Sequence, residues 1–422
     1  MGTHFLSEPF VKWVVVGLIL ATAFYLYRLY YRKIVLRESE LIANGLAFEK
    51  EVFVKDQNGY LRKKLTQKKV RGFFNKKKAI FVLTKFNQEL NDENIAQKNP
   101  IIEKITSKKV VESRVEKKWG FYRAVFYLEN FKAQVGLEDL KGKKLGIGEF
   151  FAGLSARAEA LINSTIEDFN WITTIIGGQG SGKTTAIVSQ VFTYLMSFID
   201  NNVKPPRLFI VDIKKTDFLP LIEHFKDKTE VLFFNPLELD DLIALNLELE
   251  KYLSDNIAFF KKLASENISV RHWHYLSPEL QKERHRPICA IFDEIPAYLS
   301  VGENKVKLSK EPTELELQAF QEQEERKKLS LILTKLFNTA RPTGTTLWLA
   351  SQSGNVSDLA IPFTNLRSHF FMSKTTGATA QVWGIPNDLA TRSDLRKGLF
   401  IYSSSKNTGL VKTPFIEIKG DK

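Results

Sequence analysis

The segment from Trp171 to Gln190, WITTIIGGQGSGKTTAIVSQ, restricts what this chain can fold into more than any other. Trp171 to Ile176 is apolar and β-branched, as a strand buried on both faces of a parallel sheet requires. Gly177-Gly178-Gln179-Gly180-Ser181-Gly182-Lys183-Thr184 then fits the spacing G-x-x-x-x-G-K-[ST], and an apolar helical stretch begins at Ala186. The glycines let the backbone wrap an anion with its N–H groups turned inward, at a helix amino terminus that itself attracts negative charge. Lys183 sets a cation against the β- and γ-phosphates, and the Thr184 hydroxyl suits Mg²⁺. Gly177 to Thr184, with Thr185, are the candidate nucleotide-binding residues, and ATP with Mg²⁺ the expected ligands. A glycine-rich turn without a ligand is the bland alternative, and the strand before and helix after it argue against that.

Two later runs supply what such a loop needs. Ile288 to Phe292 reads as a second buried strand and ends in Asp293-Glu294. A carboxylate at that position holds Mg²⁺, and a second one polarises the attacking water, which makes Asp293 the metal residue and Glu294 the catalytic base. Acidic residues commonly end strands, so the pair gains force only behind a good phosphate loop. Thr345 to Gln352 reads as a third strand and ends in Ser351-Gln352, an amide placed to sense a γ-phosphate or hold the water. Arg341 lies just upstream, on the expected loop before that strand. Leu208–Val211, ending in Asp212, and Val231–Phe234 are further strand-like runs. Cys289, the one cysteine, falls inside a buried run, and a single cysteine excludes a disulfide framework.

The ordered set GGQGSGKT, VDIKK, FFNPL, FDE, ARPTG and SQ resembles the FtsK–HerA superfamily, and within it the coupling-protein ATPases of conjugation and type IV secretion. The resemblance covers residues 171 to about 403. It implies an α/β fold with a RecA-like core and a mainly parallel sheet, and a homo-hexameric, membrane-anchored motor that moves DNA by hydrolysing ATP. It implies Lys183 and Thr184 on nucleotide and Mg²⁺, Asp293 on Mg²⁺, Glu294 as catalytic base and Gln352 as sensor. It also implies Arg341 as a finger reaching a neighbouring subunit's nucleotide. Secretion or relaxosome components are the implied protein partners.

The amino terminus adds a candidate anchor. Trp13 to Tyr27 carries no charge, and Val11 to Tyr31 is long enough to span a ~30 Å hydrocarbon core once Lys12 and Arg28 snorkel. Arg28, Arg32, Lys33 and Arg37 follow the span, so the positive-inside rule expects a single pass through the inner membrane with everything after residue 32 in the cytoplasm. Ala21-Thr22-Ala23 resembles a signal-peptide cleavage site, the rival reading, which would export a chain that needs cytosolic nucleotide.

Charge is concentrated behind that span. The net charge is +13, yet residues 50–149 hold 24 basic and 12 acidic side chains, whereas residues 150–422 hold 32 of each. Between Asp56 and Glu89 there is no acidic residue, while Arg62, Lys63, Lys64, Lys68, Lys69, Arg71, Lys76, Lys77, Lys78 and Lys85 fall inside. Strand-like runs at 79–83 and 121–127 expect a small folded domain here, with DNA phosphates or membrane lipids as candidate partners and a solvated lysine face as the plain one. The expected domains are therefore a transmembrane helix at 11–31, a basic membrane-proximal domain at 34–150 and a motor at 151–422.

The remaining features are less informative. Thr313 to Asn338 reads as a helix with an apolar stripe through Leu329, Ile332, Leu333, Leu336 and Phe337. Residues 240–286 have room for two helices, and Phe415–Ile418 reads as a last strand. His272, His274 and His285 lack the cysteine or carboxylate company of a metal site. The function expected is a membrane-anchored DNA translocase. Virion assembly, genome packaging or protein secretion by the same kind of ATPase is one alternative, and a basic membrane scaffold with a nucleotide switch is another.

Overall fold

A computed structural model describes residues 20–23, 25, 48–55, 61–68, 71–74, 78–83, 95–106, 108–118, 121–140, 142–166, 171–268, 273–277, 279–280, 286–299, 308–355, 369–373, 375–390, 392, 395–404 and 408–418. The chain divides into two compact units, residues 1–130 and 131–422. The division falls some twenty residues before the domain boundary expected at 150. Lys132, Lys141, Lys143 and Lys144 continue the basic composition past it, so charge alone does not mark where the second core begins.

In the first unit, β1 (Phe48–Lys55) and β2 (Leu61–Lys68) form an antiparallel hairpin. Strands β3 (Arg71–Phe74), β4 (Lys78–Leu83), β5 (Val110–Lys118) and β6 (Phe121–Leu128) form an antiparallel sheet in the order β3-β4-β6-β5, with helix α1 (Asn99–Thr106) preceding β5. Arg62, Lys63, Lys64 and Lys68 lie on β2, Arg71 on β3 and Lys78 on β4, whereas Lys69, Lys76, Lys77 and Lys85 lie outside the described residues. Ala124 to Leu128 of β6 are buried with Ile95 and Ile102, which gives this small unit an apolar core of its own.

The second unit is built on a ten-stranded sheet. It begins with the hairpin β7 (Glu149–Ser155) and β8 (Ala160–Ser164), then β9 (Ile172–Ile176) leads through the phosphate loop into α2 (Lys183–Ile199). β10 (Arg207–Val211), α3 (Leu219–Phe225), β11 (Val231–Phe234), α4 (Leu239–Ser265), β12 (Ile288–Phe292), α5 (Pro296–Leu299), α6 (Glu314–Thr343) and β13 (Thr346–Ser351) follow. The chain continues with β14 (Phe370–Met372), α7 (Gly377–Trp383), α8 (Asn387–Ala390), β15 (Leu399–Ser403) and β16 (Thr408–Lys412).

The strand order is β11-β10-β12-β13-β9-β14-β15-β16-β7-β8. The six strands from β11 to β14 are mutually parallel, as the run of buried β-branched and aromatic residues demands, and the pairs from β14 onward are antiparallel. Alternation along the strands divides the core. Ile175, Ile210, Ile291 and Trp348 face α2, whereas Ile176, Phe209, Phe292 and Leu349 share the other face with residues of α4 and α6. Cys289 is fully buried on the α2 side.

Two sequence expectations change here, the end of one helix and the last strand. The helix expected at 313–338 runs on to Thr343, opened by a Thr313–Glu316 capping box and stopped by Gly344 at φ 67°, so Arg341 lies in its last turn rather than on a loop. Residues 239–265 form one 27-residue helix, a short 3₁₀ turn follows at 273–275, and residues 279–280 are helical again. Residues 415–418, expected as a last strand, belong to no strand. Among the described residues no helix is long and apolar enough to cross a membrane, and the span expected at 11–31 lies outside them except for residues 20–23 and 25.

Candidate nucleotide site

Local sequence determines the loop. The polypeptide leaves β9 at Ile176 and must turn before α2 starts at Lys183, and Gly182 makes that turn at φ 95°, a conformation that strains any residue with a Cβ. A Cβ on Gly177 would approach Ser373 Oγ to 2.4 Å and Ser181 Oγ to 2.6 Å, so this first glycine is also sterically required. Gly177, Gly178, Gln179, Gly180, Ser181 and Gly182 thus form the bend, and Lys183, Thr184 and Thr185 the first turn of α2. A cleft of about 580 Å³ opens there, lined by Gly178 to Thr185 and by Glu294 and Gln352.

Strand order delivers the other side chains. β9, β13 and β12 are neighbours and parallel, so their carboxyl ends meet on one edge, the place where open α/β sheets bind ligands. Lys183 Nζ donates to Gly177 O at 2.6 Å and lies 3.5 Å from Glu294 Oε1. Gln352 Nε2 donates to the same Glu294 oxygen at 2.9 Å. Thr184 Oγ1 lies 3.4 Å from Asp293 Oδ2, while Asp293 Oδ1 accepts from the Glu294 backbone N–H at 3.0 Å. Glu294 adopts φ 51°, uncommon for a residue with a Cβ, and this turns its carboxylate toward Lys183 and Gln352.

The electrostatics are unbalanced toward the acid side. Burial raises the Asp293 carboxyl from its ordinary 3.8 to about 6, Glu294 and Asp212 push the same way, and Lys183 opposes them. Burial likewise raises Asp212, whose Oδ2 has no hydrogen-bond partner among the described residues. The buried Tyr298 hydroxyl sits near the same acids and is also raised, first by burial and then by Asp293. A hydroxyl and a buried carboxylate beside an anion-binding loop are a donor set that fits Mg²⁺, which takes few protein oxygens and completes its shell with phosphate and water. Thr184 and Asp293 would hold it, and its charge answers the excess around Asp293. Among the described residues no cluster of three His, Cys, Asp or Glu forms a metal site without phosphate. His272 and His285 lie outside the described residues, and His274 falls in the turn at 273–275.

The loop residues, Lys183, Thr184, Thr185, Asp293, Glu294 and Gln352 lie together, and Arg341 does not join them. It is exposed, at the opposite, amino-terminal end of β13, with its guanidinium 5.9 Å from the centre of the Trp171 ring. Sequence reasoning missed several lining residues. Lys214 and Asp217 come from the turn after β10, Pro220 from the first turn of α3, Lys397 from the turn before β15, and Phe415 to Ile418 from the segment after β16. Lys214 was within reach, since it follows a strand-ending Asp212. The others depend on tertiary folding alone.

Fold and site together define an α/β architecture with a mainly parallel sheet and a phosphate loop at the carboxyl ends of its strands. No sequence family matches the chain, and no curated protein matches it by sequence. Among solved structures it is similar to the pCW3 conjugation coupling protein TcpA, in monomer form with ATPγS, at TM-score 0.52 and 12% identity, covering 90% of this chain and 94% of that one. It also aligns with the cytoplasmic domain of the type VII secretion ATPase EccC of Thermomonospora curvata, at TM-score 0.46 and 16% identity over 66% of this chain and 30% of that one. At that score the second likeness adds no weight, and the first establishes the fold.

Proposed function

We propose that the chain hydrolyses ATP and couples the hydrolysis to movement of DNA at a membrane, as a homo-hexameric ring. One observation carries the enzymatic part: Lys183, Thr184, Asp293, Glu294 and Gln352 arrive from three adjacent parallel strands at one cleft. The loop N–H groups and Lys183 bind the phosphates, and Thr184 and Asp293 would hold Mg²⁺, which would supply positive charge there. Glu294 is held by Lys183 and Gln352 in this arrangement. Once Lys183 turns to phosphate, Glu294 is free to accept a proton from the attacking water, with Gln352 keeping its carboxylate oriented. The protein likeness and the motif order support conjugative transfer or type IV secretion. The net +12 of residues 50–149 supports a DNA path or lipid contact next to the anchor at 11–31.

The test is ATP turnover by the full chain with single-stranded, double-stranded or no DNA. Turnover should rise with DNA, and the stimulation should fall steeply with salt, because each phosphate contact releases counterions. Turnover unaffected by DNA moves the cargo to protein, as in secretion. Undiminished turnover in Lys183→Ala would sink the hydrolysis itself.

A further inference from the structure

The cleft continues past the phosphate loop, and its far wall is built from chain that no nucleotide motif includes. Thr185, Val188 and Ser189 line it at helical spacings of three and four, so a groove follows one face of α2 for ~6 Å beyond the loop, at 1.5 Å per residue. Phe415, Ile416, Glu417 and Ile418 close the far end. This segment is fixed at several points. Thr413 N and Oγ1 donate to Gly398 O at 2.8 and 3.1 Å, Phe415 N donates to Val135 O at 2.8 Å, and Ile416 N donates to Ser189 Oγ at 3.2 Å. Gly398 N in turn donates to Ser181 O at 2.8 Å, which ties the segment to the phosphate loop itself.

Exposure alternates along it: Phe415 and Glu417 are exposed, Ile416 and Ile418 half-buried, and Ile418 packs on the core under α2. Phe415 is therefore a phenyl ring 51% exposed to water on a backbone that hydrogen bonds hold in place. Core packing does not account for it. A flat apolar partner does, and the groove leads to it from a loop shaped for phosphates. From these features, resting on the nucleotide reading above, we infer that Phe415 stacks on the nucleobase of the bound nucleotide and that residues 413–418 form the base subsite. Stacking on a phenyl face accepts any base, so Phe415 contributes affinity and leaves base selection to other groups.

Binding of ATPγS and of inorganic tripolyphosphate to the full chain separates this from its rivals. Phe415→Ala should weaken ATPγS about tenfold or more, the scale of losing one base–aromatic stack, and leave tripolyphosphate unchanged. Phe415→Tyr should restore ATPγS, and Lys183→Ala should weaken both ligands. Undiminished ATPγS binding by Phe415→Ala overturns the inference, and so does a parallel loss of both ligands, which would make the segment a structural prop. A wild-type chain that binds neither ligand refutes the nucleotide reading itself.

Discussion

Asp293→Asn should stabilise the chain in the absence of nucleotide and Mg²⁺, even though it removes a proposed Mg²⁺ ligand. The Asp293 side chain is 4% exposed, near Glu294 and Asp212, and its carboxyl is raised from 3.8 to about 6. A carboxyl raised on folding binds more protons in the native state, so its ionisation costs stability as pH rises from the unfolded value through the folded one. At ~1.36 kcal/mol per pH unit the full cost above pH 7 is about 3 kcal/mol, and at pH 5 it is about half of that. Asparagine keeps the shape, an Oδ1 to accept from Glu294 N, and an amide to face Thr184 Oγ1, but carries no charge. The expected gain at pH 8 is thus at most about 3 kcal/mol, a melting shift of several degrees for a unit of this size. The assay is thermal unfolding of both proteins from pH 5 to pH 8 in chelator, following the melting of residues 131–422. The advantage should shrink toward pH 5, and saturating Mg²⁺ with ATPγS should reverse it, because the wild-type carboxylate then meets a cation. A variant less stable than wild type at pH 8, or a difference that ignores pH, would refute the reasoning.

Glu294→Gln should retain ATPγS binding and lose ~10²–10⁴-fold in turnover, the scale of a general base, as measured by phosphate release. Gln352→Ala frees the Glu294 carboxylate of its 2.9 Å partner, so it should lower kcat with little change in ATPγS affinity, read from the two measurements side by side. Arg341→Ala removes an exposed contact over Trp171, worth ~0.5–1 kcal/mol, so the melting temperature should fall by no more than a few degrees. If Arg341 acts across a subunit boundary, the variant should lose turnover only in assembled samples, and mixing it with wild-type chains should restore part of it. Equal loss in dilute and assembled samples would count against a finger in trans.

The motifs were legible because they are local. A buried strand, a run of glycines and a helix start require neighbouring residues, and strands β9, β10, β11, β12 and β13 fall within a residue or two of where apolar runs expected them. Local reading also placed Glu294 and Gln352 at strand ends. That these ends touch is a fact of strand order, since β13 inserts between β9 and β12, and nothing near residue 352 encodes its neighbour at 294. Arg341 was misplaced for a related reason: Pro342 reads as a helix breaker, yet α6 continues through it, because the helix end is set by Gly344.

By itself, then, the sequence determined the phosphate loop, the carboxylates that serve it and the parallel half of the sheet, all of which follow from side-chain periodicity and backbone conformation over a few residues. Tertiary structure alone decided the rest. It added β14 to β16 and the β7–β8 hairpin to the same sheet, laid Phe415 to Ile418 along the groove beside α2, and crowded Asp212, Asp293 and Glu294 into one acidic edge. These depend on burial and on pairing between segments more than two hundred residues apart, as Val411 is from Ser155, where the energy of packing, and not the preference of any local stretch, selects the partner.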